Sequence, residues 1–216
     1  MGRDKALLEL AGKPLVAHAV EKLRRFCTDV FILTANQALR EFAPTVPDLH
    51  PGCGPMGGME AALNHSRHEW NLILPVDVPF LPTLLLETWA ATTLADGQAS
   101  GTRIAMFEVD GVPQPALLML HRDVGPYLGA SLARGEFKLG PMLHEAAADL
   151  AARRGLDPAV VLRRWPWGAK DDLPATGAGW QELTDAQKRG RNLWFANLNT
   201  PEELENSGRH LDALDT

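Results

Sequence analysis

The sequence lacks most of the features that identify a redox, zinc-binding, secreted or membrane protein. Its two cysteines, Cys27 and Cys53, form no CxxC pair, so neither a zinc site nor a dithiol motif is expected. No run of about 18 apolar residues could form a membrane helix. Glu9 and Gly12 interrupt the apolar residues near the N-terminus, so the sequence predicts no signal peptide. We therefore expect a cytoplasmic protein with no membrane partner.

An excess of positive charge is also absent. The 216 residues include 21 basic and 27 acidic side chains, which gives a net charge of −6. This balance argues against broad nucleic-acid binding, although it leaves room for a local basic pocket that holds a nucleotide. Hydrophobic residues make up 45% of the chain, which is long enough for an α/β domain with a full core.

Several catalytic motifs are missing as well. The sequence contains no Gly-Lys-Ser/Thr Walker loop and no nucleophile elbow for Ser/His/Asp chemistry. The histidines that lie on predicted helices or at element ends show no metal-ligand spacing and are interpreted as surface or packing residues: His18, His65, His68, His121 and His144. A nucleotide site in this chain must therefore use a different kind of loop.

What is present is an alternation of strand and helix patterns. Short apolar runs at 29–34 and 70–75 predict buried parallel strands. Apolar residues at helical spacing predict helices over 13–25, 37–42, 59–68, 81–95, 123–133 and 138–153. The alternation predicts a three-layer, Rossmann-like α/β fold with a mostly parallel sheet, in which ligands bind beyond the carboxyl ends of the strands.

The second half of the sequence is less regular. Asp110-Gly111 predicts a hairpin turn between strands at 103–109 and 114–120. Residues 155–191 mix tryptophan with glycine, proline and charge, and we interpret them as an inserted loop with a short helix.

The C-terminal part carries one clear helix signal. Residues 193–196 are predicted as a last short strand, and Thr200-Pro201-Glu202-Glu203 has the pattern of a capping box with proline at the first helical position. We expect a single domain over residues 1–206, followed by a polar tail over 207–216 that frays.

The strongest candidate for chemistry is Asp77, which directly follows a predicted buried strand. A carboxylate at this place suits a hard divalent cation, because Mg²⁺ needs only one or two protein carboxylates when phosphates supply further oxygens. The alternative is that Asp77 caps the following helix. Since Pro79 and Pro82 intervene, Asp77 lies too far from the predicted helix start for that role.

The N-terminal run Met1-Gly-Arg-Asp-Lys5 is similar to the second half of a phosphate-binding loop. Lys5 would reach a triphosphate as a compact point charge, with Arg3 assisting. The alternative is a solvated basic N-terminus. Such loops normally follow a buried strand, and here no strand precedes the loop.

A glycine-rich loop, residues 48–58, is the second candidate for binding. It includes Gly54 and Gly57 and opens a predicted helix, whose N-terminus favours anions or polar base edges. Asp48 at its start could accept hydrogen bonds from a guanine edge, or it could be the solvent-facing cap of a flexible turn.

Asparagines after two of the predicted strands could also contact a ligand. Asn36 could hydrogen-bond a base or ribose, and equally it could cap the next helix. Of Asn197 and Asn199, one could face a metal or second substrate while the other orders the loop.

Taken together, these segments resemble the molybdenum cofactor guanylyltransferases. The resemblance covers roughly 200 residues and rests on segments in the same order: Met1-Gly-Arg-Asp-Lys5-Ala-Leu-Leu, Gly12-Lys-Pro-Leu15, Thr34-Ala-Asn36, Asp48 followed by Gly54-Pro-Met-Gly57, Pro75-Val-Asp77-Val-Pro-Phe-Leu-Pro82, and Asn197-Leu-Asn-Thr-Pro-Glu-Glu-Leu204. It implies a fold like that of the nucleotide-diphospho-sugar transferases.

The resemblance implies an enzyme that joins GMP from GTP to molybdopterin-bound molybdenum and releases pyrophosphate. Lys5 would then bind the GTP phosphates, and Asp77 would bind both Mg²⁺ and the nucleotide. Asn36 and Asp48 would bind the guanosine, within a loop shaped by Gly54 and Gly57.

The resemblance also implies a role for Asn199 at the second substrate or the metal. Molybdoenzymes or their chaperones would be possible protein partners.

The sequence departs from the family in three places. The family's loop begins Leu-Ala-Gly-Gly and carries an arginine just before the residue matched by Met1, so the chain as given looks to lack a first strand and the start of the loop. The family's His-Pro is Gln114-Pro115 here, and residues 155–191 are longer than the usual connection. A first strand in this fold would be paired on both sides, and its loss would leave unpaired backbone. For that reason we expect the 216-residue form to be unstable or inactive alone.

Two alternatives stay open on the sequence alone. One is a different nucleotidyltransferase, which uses CTP on the same pterin or activates a sugar phosphate. The other is a nucleotide-binding protein with impaired catalysis, owing to the missing part of the loop.

Overall fold

A computed structural model describes residues 4–168, 182–198 and 200–215. The described strands are β1 (Glu9–Leu10), β2 (Lys13–Pro14), β3 (Ile32–Leu33), β4 (Thr45–Val46), β5 (Trp70–Ile73), β6 (Ile104–Val109), β7 (Val112–His121) and β8 (Leu162–Trp167). The described α-helices are α1 (Leu15–Arg24), α2 (Pro55–His65), α3 (Thr83–Ala99), α4 (Gly125–Ala133), α5 (Leu139–Arg154), α6 (Pro158–Val161), α7 (Asp185–Arg189) and α8 (Pro201–Ser207). Short 3₁₀ helices cover Lys5–Leu7, Gln37–Glu41, Arg122–Val124, Arg191–Leu193 and Gly208–Ala213.

The chain divides into two compact units. The first unit is made from residues 1–30, 75–89 and 168–216, and the second from residues 31–74 and 90–167. The expectation of a single domain over 1–206 stays a prediction. Within the described part of the chain, no helix combines the length and apolar character needed to cross a bilayer.

The second unit contains a sheet with the strand order β5-β7-β6-β8. β6 runs parallel to β8. β7 runs antiparallel to β6, from which it returns through a tight hairpin, and it also runs antiparallel to β5. Asp110 and Gly111 at the turn have φ values of 48° and 79°, a left-handed pair that matches the twist of a hairpin. The predicted hairpin is therefore confirmed. A separate parallel pair joins β3 and β4.

The core of the second unit lies between this sheet and helices α2, α4 and α5. Its buried side chains are mostly unbranched or γ-branched and fill the space between the layers, among them Met56, Met59, Ile104, Leu118, Leu128, Met142 and Leu143. The sheet and its helices therefore form a continuous apolar interior, which holds the start of α2 in a defined place.

The first unit begins with the β1–β2 hairpin, whose turn residues Ala11 and Gly12 both have positive φ. α1 follows directly and buries its apolar face. A second core forms here from residues far apart in sequence: Leu10, Leu15, Phe80, Leu198, Ala213 and Leu214. The early and late parts of the chain thus share one interior.

The prediction of a last strand at 193–196 is wrong. Residues Arg191–Leu193 form a 3₁₀ helix, and the backbone N–H of Ala196 donates to Leu193 in a turn. The buried Trp194 explains the difference, since its indole N–H donates to the carbonyl of Gln187. This apolar run therefore packs against α7 instead of joining a sheet.

The region 155–191 also differs from the expected inserted loop. Its first part forms α6 and then β8, which pairs along its whole length with β6. Arginines at 163 and 164 and a proline at 166 hid the strand pattern in this segment. Residues 169–181 lie outside the described residues.

The tail over 207–215 is ordered, so the prediction that it frays is wrong. It forms the 3₁₀ helix Gly208–Ala213, and Ala213 and Leu214 are buried. The capping box at the preceding helix is confirmed, because Thr200 accepts a hydrogen bond from the N–H of Glu203 and Glu203 from the N–H of Thr200. The polar composition of the tail concealed these inward-facing residues.

A tight contact between α3 and β5 in the second unit gives a test of the packing. A Cβ atom added at Gly97 would lie 2.7 Å from Cζ2 of Trp70, a ring that also packs edge-on against His121. Gly97→Ala should lower the free energy of unfolding by about 1–2 kcal/mol, because overpacking outweighs the helix propensity gained.

Gly140→Ala is the matched control, since an added Cβ there meets no atom within 4 Å. It should leave the stability unchanged or raise it by up to about 1 kcal/mol. Urea denaturation of both variants measures the difference. Equal stability of the two would contradict the packing of Trp70 on α3.

Candidate functional site

Lys5 and Asp77 form an ion pair in the first unit. Lys5 begins the 3₁₀ helix Lys5–Leu7, whose preceding residue Asp4 caps it by accepting from the N–H of Ala6. The Lys5 Nζ lies 2.5 Å from Oδ2 of Asp77, and the two side chains are 33% and 17% exposed. The structure therefore brings together the two residues predicted to act on phosphates and metal.

The second carboxylate oxygen of Asp77 has no hydrogen-bond partner in the part of the chain that the structure describes. Oδ1 is buried and accepts no hydrogen bond from any described residue. A buried acceptor that is desolvated and unpaired costs about 1–3 kcal/mol, so such an atom is often a contact point for a ligand. The backbone carbonyl of Asp77 is fixed separately, by a 2.8 Å hydrogen bond from the N–H of Leu198.

This arrangement fits a metal ion that takes most of its ligands from elsewhere. Among the described residues, no group of three or more His, Cys, Asp or Glu side chains could form a metal cage. The free Oδ1 of Asp77 is a hard oxygen donor of the kind Mg²⁺ prefers, and Mg²⁺ is commonly bound through one or two carboxylates plus substrate phosphates.

The glycine-rich loop lies in the second unit and leads into α2. The helix begins at Pro55, earlier than predicted, so Gly57 and Gly58 belong to its first turn. Gly54 precedes the helix with φ 61° and ψ −151°, a backbone conformation available essentially to glycine alone. The sequence requirement for glycine at this position is therefore conformational.

Asp48 lies against the first turn of α2. A Cβ atom added at Gly57 would be 3.3 Å from Oδ2 of Asp48 and 3.1 Å from the carbonyl oxygen of His50. At Gly58 the corresponding distance to Oδ1 of Asp48 is 3.5 Å. The absence of a side chain at Gly57 lets the Asp48 carboxylate approach the helix closely, whereas the space at Gly58 is ordinary.

A hydrogen bond between two side chains that the sequence did not reveal supports this loop. His50 Nδ1 lies 2.8 Å from Oε2 of Glu60, whose side chain is only 9% exposed. Glu60 occurs on α2 among the buried residues Met56, Met59 and Leu63. The acidic residue Glu60 on an otherwise apolar helix face was the sequence signal that could have identified this contact.

Asn36 takes the structural role that was the alternative in the sequence. Its Oδ1 accepts a 3.1 Å hydrogen bond from the N–H of Ala38 and so caps the 3₁₀ helix Gln37–Glu41. Asn199 lies outside the described residues. Of the predicted site residues, Lys5 and Asp77 meet in the first unit, while Asp48, Gly54 and Gly57 meet in the second.

The profile of a known family matches the part of the chain that carries these features. Residues 1–156 match the MobA-like NTP transferase domain. The chain belongs to the MobA-like NTP transferase family. The sequence expectation of a nucleotidyltransferase is therefore confirmed.

Relatives of this NTP transferase extend the match. The chain is 35% identical over 165 residues to the molybdenum cofactor guanylyltransferase of Serratia proteamaculans strain 568, and the match covers 73% of this chain and 79% of that one. It is 29% identical over 212 residues to the protein of the same name from Vibrio atlanticus strain LGP32, covering 96% and 88% of the two chains.

A solved structure with a similar fold is molybdopterin-guanine dinucleotide biosynthesis protein A from Archaeoglobus fulgidus. The TM-score is 0.66 at 22% identity, covering 99% of this chain and 93% of that chain. The α/β, nucleotide-diphospho-sugar-transferase-like fold class expected from the sequence is confirmed by this likeness.

The two glycines at the start of α2 give a matched test of the Asp48 contact. Gly57→Ala would press against the His50 carbonyl, the Asp48 carboxylate and Cβ of Cys53 at 3.1–3.4 Å, whereas Gly58→Ala would meet atoms at ordinary distances of 3.5–3.7 Å. Both substitutions gain about the same helix propensity, up to about 1 kcal/mol.

We expect Gly58→Ala to be the more stable variant by about 1 kcal/mol or more in urea denaturation, because overpacking offsets the propensity gain only at Gly57. If Gly57→Ala unfolded at the same urea concentration as Gly58→Ala, the close approach of Asp48 to α2 would be refuted.

Proposed function

We propose that this chain transfers GMP from GTP to molybdenum-bound molybdopterin, forms the guanine dinucleotide cofactor and releases pyrophosphate. Membership of the MobA-like NTP transferase family and the similarity to molybdenum cofactor guanylyltransferases support this reaction. The observation that carries the proposal for the site is the Lys5–Asp77 pair, in which one buried carboxylate oxygen has no partner among the described residues.

Lys5 and Asp77 are the proposed catalytic residues. The Lys5 ammonium, which donates a hydrogen bond to Oδ2 of Asp77 in this structure, would turn to the triphosphate and place a compact positive charge beside it. Asp77 would hold Mg²⁺ through Oδ1, which accepts no hydrogen bond from the described residues. The metal would supply positive charge that neutralises the phosphates when it is bound.

The guanosine part of GTP is proposed to bind at the loop before α2. Asp48 would accept hydrogen bonds from the guanine edge, and Gly54 and Gly57 would let the nucleotide approach the backbone. Asn36, whose Oδ1 caps the 3₁₀ helix Gln37–Glu41, would contact the base or ribose. Asn199 is proposed at the second substrate or the metal.

The reaction itself needs no covalent enzyme intermediate. A terminal phosphate oxygen of the pterin attacks the α-phosphorus of GTP, a new P–O bond forms, and the bond to the β-phosphate breaks as pyrophosphate leaves. The chain contributes by aligning the two substrates and by neutralising charge with Lys5. Such positioning agrees with a site that holds a lysine and a carboxylate.

The surroundings of the reaction complete the proposal. Magnesium is the proposed divalent ion, and the cytoplasm is the proposed location. The product would pass to molybdoenzymes or their chaperones. These statements rest on the proposed reaction.

A comparison of nucleotides tests the reaction. With molybdenum-loaded molybdopterin and Mg²⁺ present, pyrophosphate release should be fastest with GTP, and CTP and UTP should react at least about tenfold more slowly, because a missed polar contact at the base costs roughly 1–3 kcal/mol. Preference for CTP would overturn the proposal in favour of a cytidylyltransferase. GTP binding without pyrophosphate release would favour a catalytically impaired nucleotide-binding protein.

Substitution of the proposed metal ligand gives a second test. Asp77→Asn should lower kcat for GTP-dependent pyrophosphate release by about 10²–10³-fold, a loss typical of removing one electrostatic contact in a transition state. Stability should change by less than about 1 kcal/mol, because the Lys5 side chain keeps partial access to water.

Glu21→Gln is the matched control, since the Glu21 carboxylate forms an exposed ion pair with Lys13. It should leave kcat unchanged. Wild-type turnover by Asp77→Asn would remove Asp77 from the catalytic site.

A further inference from the structure

The C-terminal part of the first unit contains a buried carboxylate that the proposed reaction does not use. Asp215 is 8% exposed, and its Oδ2 lies 2.9 Å from Nζ of Lys22, which is 5% exposed on α1. Its other oxygen, Oδ1, accepts a hydrogen bond from the side-chain amide of Gln187 on α7. One carboxylate thus joins elements from three distant parts of the sequence.

The same carboxylate caps the start of α3. Both the backbone N–H and the hydroxyl of Thr83 donate to Oδ2 of Asp215 at 2.5 Å. The first N–H groups of a helix have no partner within the helix, and the positive end of the helix dipole favours an anion there. Asp215 therefore serves α3 as an N-terminal cap supplied from the far end of the chain.

The charge state of Asp215 suits this role. Burial alone would raise its pKa, but the Lys22 ammonium and the donors of Thr83 outweigh burial and leave the pKa below its ordinary value. The carboxylate is therefore ionised at neutral pH, where it can accept all of its hydrogen bonds.

The loop between Asp77 and Thr83 depends on the same C-terminal segment at its other end. Leu198 donates its backbone N–H to the carbonyl of Asp77 itself. Between these two points, Phe80 packs in the core formed with Leu198 and Leu214. The loop that carries the proposed metal ligand is thus held by hydrogen bonds at its start and at its end.

We propose that Asp215 is a positioning residue for Asp77. Asp215 caps α3 and thereby fixes the loop 77–82, so that Oδ1 of Asp77 faces the metal-bound nucleotide. This inference rests on the proposed function. Asp215 touches no substrate in this scheme, and it acts through the Thr83 backbone and the short loop that precedes it.

The test separates positioning from general stability by using paired variants. Replacing Asp215 alone would leave Lys22 buried without its counter-charge. The informative pair is therefore Lys22→Met with Asp215→Asn and Lys22→Met with Asp215→Ala. Both variants lack the ion pair, but only the asparagine keeps a side-chain oxygen that can accept from Thr83.

The readout is the affinity for a divalent ion, measured on the full chain with GTP bound. Electron paramagnetic resonance of Mn²⁺ gives the binding constant, and the Mg²⁺ concentration at half-maximal pyrophosphate release gives an independent value. Both are measured at a temperature where each variant is fully folded. Asp212→Ala is the control, because Asp212 lies three residues before Asp215, in the 3₁₀ helix Gly208–Ala213, but its side chain is 66% exposed.

The asparagine variant should bind Mn²⁺ within about twofold of wild type, and the alanine variant roughly tenfold more weakly, since ångström-scale misplacement of a binding group can cost up to about 10²-fold. Asp212→Ala should match wild type. Equal Mn²⁺ affinity of the two paired variants would overturn the positioning role, even if both were less stable. If wild type itself bound no Mn²⁺·GTP, the proposed function would fail instead.

Discussion

The carboxylate of Asp77 sets the main constraint on the first unit, because one of its oxygens is paired with Lys5 and the other is buried with no described partner. A half-satisfied buried carboxylate is costly, and it persists only where the surrounding structure determines its position. The surrounding groups are the Leu198 N–H, the core around Phe80 and the capped start of α3. The packing of the C-terminal segment therefore makes the polar site possible.

The two units use different physical means to hold their proposed binding groups. In the first unit, charge pairs and hydrogen bonds position Asp77. One of these charge pairs contains Lys22, whose pKa is lowered because burial disfavours its charge. In the second unit, the small size of glycine residues allows the proposed binding group Asp48 to take its place. Glycines at the start of α2 let Asp48 lie close to the helix, and Glu60 holds His50 beside it.

Features that depend on neighbouring residues were predictable from the sequence, while those that depend on distant residues were not. The hairpin follows from Asp110-Gly111 and the helix start from Thr200 and Glu203, since both are local patterns. The strand β8 and the buried tail depend on partners elsewhere in the chain, which periodicity does not report. Lys5 and Asp77 are separated by 72 positions, so only the family resemblance linked them.

The cap on α3 also affects the order in which the site can form. Asp215 contacts Lys22 and Thr83 across sequence separations of 193 and 132 residues. Contacts of this kind close large loops and are slow to form during folding. During synthesis on the ribosome, the loop of Asp77 emerges long before the residue that caps the helix behind it. The carboxylate of Asp77 can therefore take up its final position only after the segment that contains Asp215 has been synthesised.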